Sequence, residues 1–407
     1  MRSASAQGAS IQDSQLFIDD CFTFNLDSSC RPKVKPIKKI IPARTNFIKD
    51  ELILLYPSDM GEQINHIAKK YNLKQTSKIL LNSVKTGMIV SKTNGQNPLM
   101  LSQAINKHES NIEAATNNTF KPATITYNNA YSMYDTGVSY VHNTTKGKGV
   151  TICMIDTPVD IYHPSLSDAH IDTLDFVKYD PNDTESMLHG TSVAGILISQ
   201  NKHIGIAPQA KLLAITAFST TKSRPYILQG SSSDIAAAID SCIIHKVDVI
   251  NLSFTGTRDS LIEKLVTKAI KNGIIVVAAG GNGGNWGSSI YPAVIKGVIA
   301  TTAVDKNKKL FSLADRGRFI DYAAPGVNVL TIAPEGKYRL ASGTSISSAH
   351  LSGIVALLLS QQHINPIQKT LTATALDLGK PGRDQEFGDG LVSASRALAV
   401  IKNKTGK

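Results

Sequence analysis

From Gly149 onward the chain alternates between short runs of consecutive apolar residues and longer stretches in which apolar positions recur every third or fourth residue. The runs VTICMID, AKLLAITAF, VDVINLSF, GIIVVAAGG and GVIATTAV are rich in Val, Ile and Ala, as strands buried on both faces are. Between them, HGTSVAGILIS, SDIAAAIDSCIIHK and DSLIEKLVTKAIKNG carry helical spacing. The alternation predicts an α/β domain with a mainly parallel sheet and helices on both faces. In such sheets the reacting groups collect at the carboxyl ends of the strands.

Upstream the pattern changes. KDELILLYP reads as a strand, SDMGEQINHIAKKYN as a helix capped by Ser58, and KTGMIVSK as a second strand. LMLSQAINKHESN then reads as a helix and IEAATNNTF as a further extended piece. That β-α-β-α-β order predicts a small α+β domain of ferredoxin-like, split βαβ type. The expected organisation is a polar segment 1–45 containing the basic stretch KVKPIKK, the α+β domain 46–124, a connection 125–148, the α/β domain 149–400 and a basic tail 401–407.

Composition adds limits rather than detail. The 407 residues leave room for more than one domain, and 42% hydrophobic with 18% charged residues is an ordinary globular balance. The net charge of +11 is spread along the chain, so the lysines read as solvated surface and nucleic acid is not an expected partner. No window holds 18 consecutive apolar residues, so no membrane span is expected. Cys21, Cys30, Cys153 and Cys242 fit no zinc spacing. Cys153 lies in an apolar strand and Cys242 in a helical pattern, where cysteine acts as a small hydrophobe. Cys21 and Cys30 are close enough in sequence to bridge in an oxidising compartment. The opening MRSASAQGAS lacks the apolar core of a signal peptide, while Ala4-Ser5-Ala6 before Gln7 has the small-x-small form of a signal-peptidase site. A periplasmic or secreted location is the favoured expectation, and a cytoplasmic one the alternative.

Three local features carry candidate chemistry. Asp156 ends the run TICMID and is followed by Thr157 and Pro158; it is either a turn residue or a carboxylate at a strand end. His189 opens HGTSVAGILIS. Ser345 follows Gly343 and Thr344 and precedes about four turns of apolar helix. Its hydroxyl thus sits where backbone N–H groups favour negative charge, although a serine there is also an ordinary cap. Singly, each feature stays open. Together they give the order Asp…His…Ser. A serine hydroxyl needs an adjacent base, and an imidazole held by a carboxylate is such a base.

These motifs resemble the subtilisin-like serine proteases. Asp156 stands at that family's Asp-Thr-Gly position, HGTSVAG matches its His-Gly-Thr motif and GTSISSAH its Gly-Thr-Ser motif. GIAPQAKLLAI, DVINLSF, VVAAGGNGG, YPA, AAPG and FGDGLVSA extend the likeness over residues 147–398. The resemblance implies a serine endopeptidase with Asp156, His189 and Ser345 as triad, and an oxyanion hole from Asn282 and the Ser345 N–H. It also implies a specificity pocket walled by Ser253, Phe254, Thr255 and Gly256 and by Ala278, Ala279, Gly280 and Gly281, with Gly230, Ser231 and Ser232 pairing with an extended substrate. No cofactor is implied for the chemistry. Structural calcium is common in the family, yet no dense carboxylate loop stands out, and DFVKYDPNDTE reads as a solvated loop.

The chain departs from the family pattern at Pro158, a glycine there, at Thr255, a glycine-like place, and at Ala349, which replaces a proline. Thr255 should narrow the pocket and favour small or medium residues before the cleaved bond. The upstream domain is similar to the propeptide of these enzymes, which assists folding and inhibits. Its last strand, ending near Asn118–Lys121, is expected in the active site, with self-cleavage between about Thr119 and Asn129. Partners would be a peptide or protein substrate and the chain's own propeptide, with the protein a monomer. Two other functions remain: a maturation protease dedicated to one peptide precursor, and a catalytically silent binding protein of the same fold.

Overall fold

In the computed structural model, which describes residues 47–60, 62–122, 131–220, 228–285, 290–362 and 366–405, the first strand is buried on both faces. This strand, β1 (Phe47–Pro57), sends Leu52, Leu54 and Tyr56 one way and Ile53 and Leu55 the other. Helices α1 (Gln63–Lys70) and α2 (Pro98–His108) cover the first set, with Ile64, Ile67, Leu101 and Ile105 in the same core. Strands β2 (Lys74–Leu81), β3 (Thr86–Lys92) and β4 (Glu113–Pro122) complete an antiparallel layer in the order β2-β3-β1-β4. The order is therefore β-α-β-β-α-β, with one strand more than the sequence pattern suggested. Strand β2, KQTSKILL, is mostly exposed and carries no apolar alternation to read. Helix α1 begins at Gln63, so Ser58 does not cap it. Helix α2 is capped by Asn97, whose side chain accepts from the N–H groups of Leu99 and Met100, with Pro98 in its first turn.

The expected connection is packed structure where it is described: the short helices α3 (Ser132–Asp135) and α4 (Val138–Val141) bury Met133, Val138 and Val141. There follow β5 (Thr151–Asp156), β6 (His170–Asp175), α5 (Thr184–Ile198), β7 (Lys211–Thr216), β8 (Ser219–Thr220) and β9 (Leu228–Ser231). Next come α6 (Ser232–Ile244), β10 (Val249–Leu252), β11 (Phe254–Thr255), α7 (Ser260–Lys271), β12 (Ile275–Ala279) and β13 (Ile299–Val304). The chain ends with β14 (Tyr322–Pro325), the hairpin β15 (Val329–Ala333) and β16 (Lys337–Ala341), and helices α8 (Thr344–Leu359), α9 (Ile367–Thr374) and α10 (Ala394–Thr405). Helix α10 takes in residues 401–405 of the expected tail, and Ile401 in it is buried.

The main sheet has seven parallel strands in the order β14-β13-β12-β10-β5-β7-β6. Alternation along β5 serves two cores: Ile152 and Met154 face the core that holds α5 and α8, while Cys153 and Ile155 face that of α6 and α7. Helices α5 and α8 are buried almost all round: α5 is enclosed by the sheet, β15 and α8, and α8 by the sheet, α5 and α10.

Two long-range features were not legible. Cys153 and Cys242, expected as separate hydrophobes, form a disulfide with Cα atoms 5.9 Å apart at a sequence separation of 89. Cys153 lies on the face of β5 that α6 covers, and Cys242 is on α6, which is what brings them together. Second, Ile53, Leu55, Leu81, Met88 and Val90 of the upstream layer share a core with α6 and α7. The far face of that layer is thus buried by the downstream part, and Asn46–Lys407 forms one compact unit.

Candidate active site

Asp156 ends β5, where its carbonyl accepts hydrogen bonds from the N–H groups of Ala217 and Phe218. Its Oδ1 accepts from His189 Nδ1 at 2.6 Å and from the Thr157 N–H at 2.7 Å. A carboxylate only accepts, so Nδ1 of His189 carries a proton, which in the neutral imidazole puts the lone pair on Nε2. That Nε2 is buried and makes no hydrogen bond among the described residues.

His189 lies in the second turn of α5, not at its start. The helix begins at Thr184 because Asp183, in the Asp-rich stretch read as a loop, caps it through the Ser186 N–H. What fixes α5 against the strand end is Gly190. Its N–H donates to Thr157 Oγ1 at 2.8 Å, and a Cβ there would stand 2.2 Å from the Thr157 carbonyl oxygen. Thr157 and Pro158 are both buried in this contact.

Ser345 is the second residue of α8, fully buried, behind Gly343 with φ +147°. Its carbonyl accepts from Ser253 Oγ at 3.1 Å and from Ser348 Oγ at 3.0 Å. Next to it, Thr344 donates to Asn282 Oδ1 from both its N–H and its Oγ1, each at 3.0 Å. Since an N–H can only donate, the Asn282 oxygen is assigned there and the amide NH₂ points the other way. Asn282 Nδ2 is buried and, like His189 Nε2, has no partner among the described residues. A buried donor without an acceptor is costly unless a bound group completes it.

The loop carrying Asn282 is held by Asp315, which the sequence did not mark. Asp315 accepts from the N–H groups of Gly283 at 3.1 Å and Asn285 at 2.7 Å, and its own N–H donates to the Gly281 carbonyl. Gly281 has φ +104°, and a Cβ on it would meet Asp315 Oδ2 at 2.2 Å. Within the stretch SLADRGR nothing local announces this role. The other histidine nearby, His350 of α8, hydrogen-bonds the Ile346 carbonyl through Nδ1, and burial lowers its pKa to about 4.

The expected pocket and groove residues fall on two neighbouring strand ends and on β9. Leu252 pairs with Ala278, so Ser253–Gly256 and, one residue further on, Gly280–Gly281 run on from adjacent strand ends. Ser253, Phe254, Ala278, Ala279, Gly280 and Gly281 are buried, Thr255 and Gly256 partly so. Between these segments runs β4. Thr119 and Phe120 pair antiparallel with Ser231 and Gly230 of β9, and Lys121 and Pro122 pair antiparallel with Thr255 and Phe254 of β11. Ser232 belongs to α6 and meets the strand through its hydroxyl rather than its backbone. Beyond Phe254 in this antiparallel direction stands Ser253, which holds the Ser345 carbonyl.

Among the described residues no group of three or more His, Cys, Asp or Glu is placed to hold a metal ion. In the Asp-rich stretch, Asp180 and Asp183 are engaged by the N–H groups of Asn182 and Ser186. No helix among the described residues is long and apolar enough to cross a membrane.

Chemically, the arrangement offers a base with its lone pair free, a carboxylate fixing that base, a serine at a helix N-terminus and a spare amide donor. Comparisons with known proteins point the same way. A family model described as the subtilase family matches residues 147–390. The thermophilic serine proteinase of Bacillus sp. (strain AK1) is 36% identical over 267 residues, covering 63% of this chain and 64% of that protein, so the chain spans just under two thirds of that relative's length. Fervidolysin from Fervidobacterium pennivorans, a keratinolytic enzyme related to subtilisin, has the same fold, with a TM-score of 0.73 at 23% identity over 87% of this chain and 61% of its own. The prenylagaramide maturation protease PagA aligns with a TM-score of 0.57 at 28% identity, over 66% of this chain and 99% of its own.

Proposed function

Because this chain belongs to the subtilase family, we propose that it is a serine endopeptidase made as a self-processing zymogen. Ser345 Oγ attacks a peptide carbonyl while His189 Nε2 takes its proton, and Asp156 holds the imidazole by Nδ1 and stabilises the imidazolium that forms. The carbonyl oxygen, now negative, is received by the Asn282 amide and the Ser345 N–H. His189 returns the proton to the leaving amine, and water then hydrolyses the acyl-enzyme by the same route.

The observation that carries this reading is the antiparallel pairing of Thr119–Pro122 with β9 on one side and β11 on the other. An extended peptide added between two strand edges is how a protease holds the acyl half of its substrate, and here the upstream domain supplies it. Residues 47–122 then act as a propeptide that fills the groove, and self-cleavage falls after Pro122 and before Asn129. Thr255 narrows the main pocket, so small or medium residues are favoured before the cut; a peptide library cut mainly after Phe or Tyr would contradict this.

The test joins two measurements. Mass spectrometry of the purified chain should find an N-terminus beyond Pro122, and an active-site serine reagent should label the processed chain but not Ser345→Ala. An intact, active chain would overturn the zymogen, and absence of labelling would favour the silent binder. A narrower reading, a maturation protease serving one precursor, is favoured by the likeness to PagA over nearly all of that protein. Failure to cut casein or a random peptide library, in an enzyme that labels normally, would select it.

A further inference from the structure

Strand β4 is gripped not only by backbone pairing but also by the N-terminal ends of α6 and α7. The Asn118 N–H donates to Ser232 Oγ at 2.8 Å, and its side-chain Nδ2 donates to Asp259 Oδ2 at 3.0 Å. Ser232 Oγ donates to the same Oδ2, while Asp259 Oδ1 caps α7 by accepting from the N–H groups of Leu261 and Ile262. Asn118 Oδ1 is satisfied within the strand by Thr116 Oγ1 at 2.8 Å. Next door, Asn117 exchanges hydrogen bonds with the N–H and hydroxyl of Ser233 in the first turn of α6. All five groups are shut off from solvent: Asn117 is 1% exposed, Asn118 9%, Ser232 0%, Ser233 5% and Asp259 4%.

We infer that Asp259 and Ser232 form a subsite that reads an asparagine in the substrate at the place Asn118 occupies, four residues before the position opposite Phe254: Asp259 Oδ2 takes the side-chain amide, and Ser232 Oγ holds the backbone N–H. The inference rests on the endopeptidase reading and extends its specificity beyond the pocket next to the cut. Asp259 is held in place by its capping bonds, so its Oδ2 stays aimed at the groove when β4 leaves. A carboxylate oxygen there accepts from an amide NH₂, repels the isosteric carboxylate of aspartate, and with an aliphatic side chain loses one of its two donors and keeps only Ser232 Oγ. Discrimination of this kind depends on a buried polar group that only one substrate completes.

The experiment uses labelled peptides of sequence EAATNNTFKPATITYNN, residues 113–129, with Asn118 kept or replaced by Asp or Ala. They are offered to the processed wild-type chain and to the processed Asp259→Asn variant. The wild type should cut the Asn peptide with kcat/KM at least about tenfold above the Asp peptide. Asparagine is also a good cap, so in Asp259→Asn its oxygen keeps α7 capped and its NH₂ faces the groove. The preference should then reverse toward the Asp peptide. Because each ratio is taken within one enzyme, loss of fold cancels. Equal cleavage of the three peptides by a wild type that still labels at Ser345 overturns the subsite and leaves the protease standing. A wild type that neither cuts nor labels overturns the endopeptidase reading, and the subsite with it.

Discussion

His189 Nδ1 stands 2.6 Å from Asp156 Oδ1, with both side chains almost wholly enclosed. The carboxylate makes only one other hydrogen bond, from the Thr157 N–H, and its Oδ2 has none. An imidazolium formed during reaction would therefore be its main counter-charge. Asp156→Asn should leave the fold intact and lower kcat by about 10⁴, because an amide NH₂ facing Nδ1 selects the wrong tautomer. Steady-state kinetics on a peptide substrate, with circular dichroism as the folding control, would check it; a drop below tenfold would contradict the assigned role.

Among the described residues Asn282 offers its NH₂ to no acceptor. Asn282→Ala should cut kcat by about 10²–10³ with little change in KM, a magnitude carried over from subtilisin, a member of the same family. A rise in KM at constant kcat would mean that the amide binds the ground state instead.

Gly190 allows backbone to touch backbone. In Gly190→Ala the new methyl would lie 2.2 Å from the Thr157 carbonyl oxygen and 2.7 Å from that of Pro158. Neither can yield without moving the strand end. A loss of about 2–3 kcal/mol is expected, together with a fall in kcat larger than the stability loss explains. Urea titration and kinetics on the same preparation would separate the two.

His350 gives stability a pH dependence of known sign. Burial lowers its folded pKa from 6.5 to about 4, so the unfolded chain takes up the proton first. Its contribution is complete above pH 6.5 and is lost progressively as pH falls to about 4, by about 3 kcal/mol in all. In His350→Asn, which keeps a donor for the Ile346 carbonyl, the unfolding free energy should fall less steeply over that range.

The Cys153–Cys242 bridge ties β5, three residues before Asp156, to α6 across 89 residues of sequence. Replacing both cysteines by serine should reduce stability by roughly 2–5 kcal/mol. Dithiothreitol should destabilise the wild type by a similar amount and leave the double variant unchanged.

Much of the site was legible because its chemistry is written in short local strings. Asp156 and Ser345 each sit at the junction of a strand or a glycine turn with the next element, and such junctions have a sequence pattern; Asn282 was implied by the family resemblance alone. His189 was legible as a residue but not in its place, since the cap that starts α5, Asp183, is hidden among other aspartates. Strand β2 escaped because an exposed edge strand needs no apolar alternation. Asp315 and the cysteine pair act across long loops, where one sequence holds no signal of proximity.

The position of β4 has one more consequence. With β4 in place, the upstream layer, β9, β8 and β11 are a single hydrogen-bonded sheet; without it, two facing edges are open. A replacement must offer free N–H and C=O groups along both sides of the same stretch. A helix spends those groups internally, and a strand inside a sheet spends them on its neighbours. Only loops, chain ends and unfolded segments have them to give, so under the proposed function the geometry of one missing strand would confine cleavage to locally unfolded stretches.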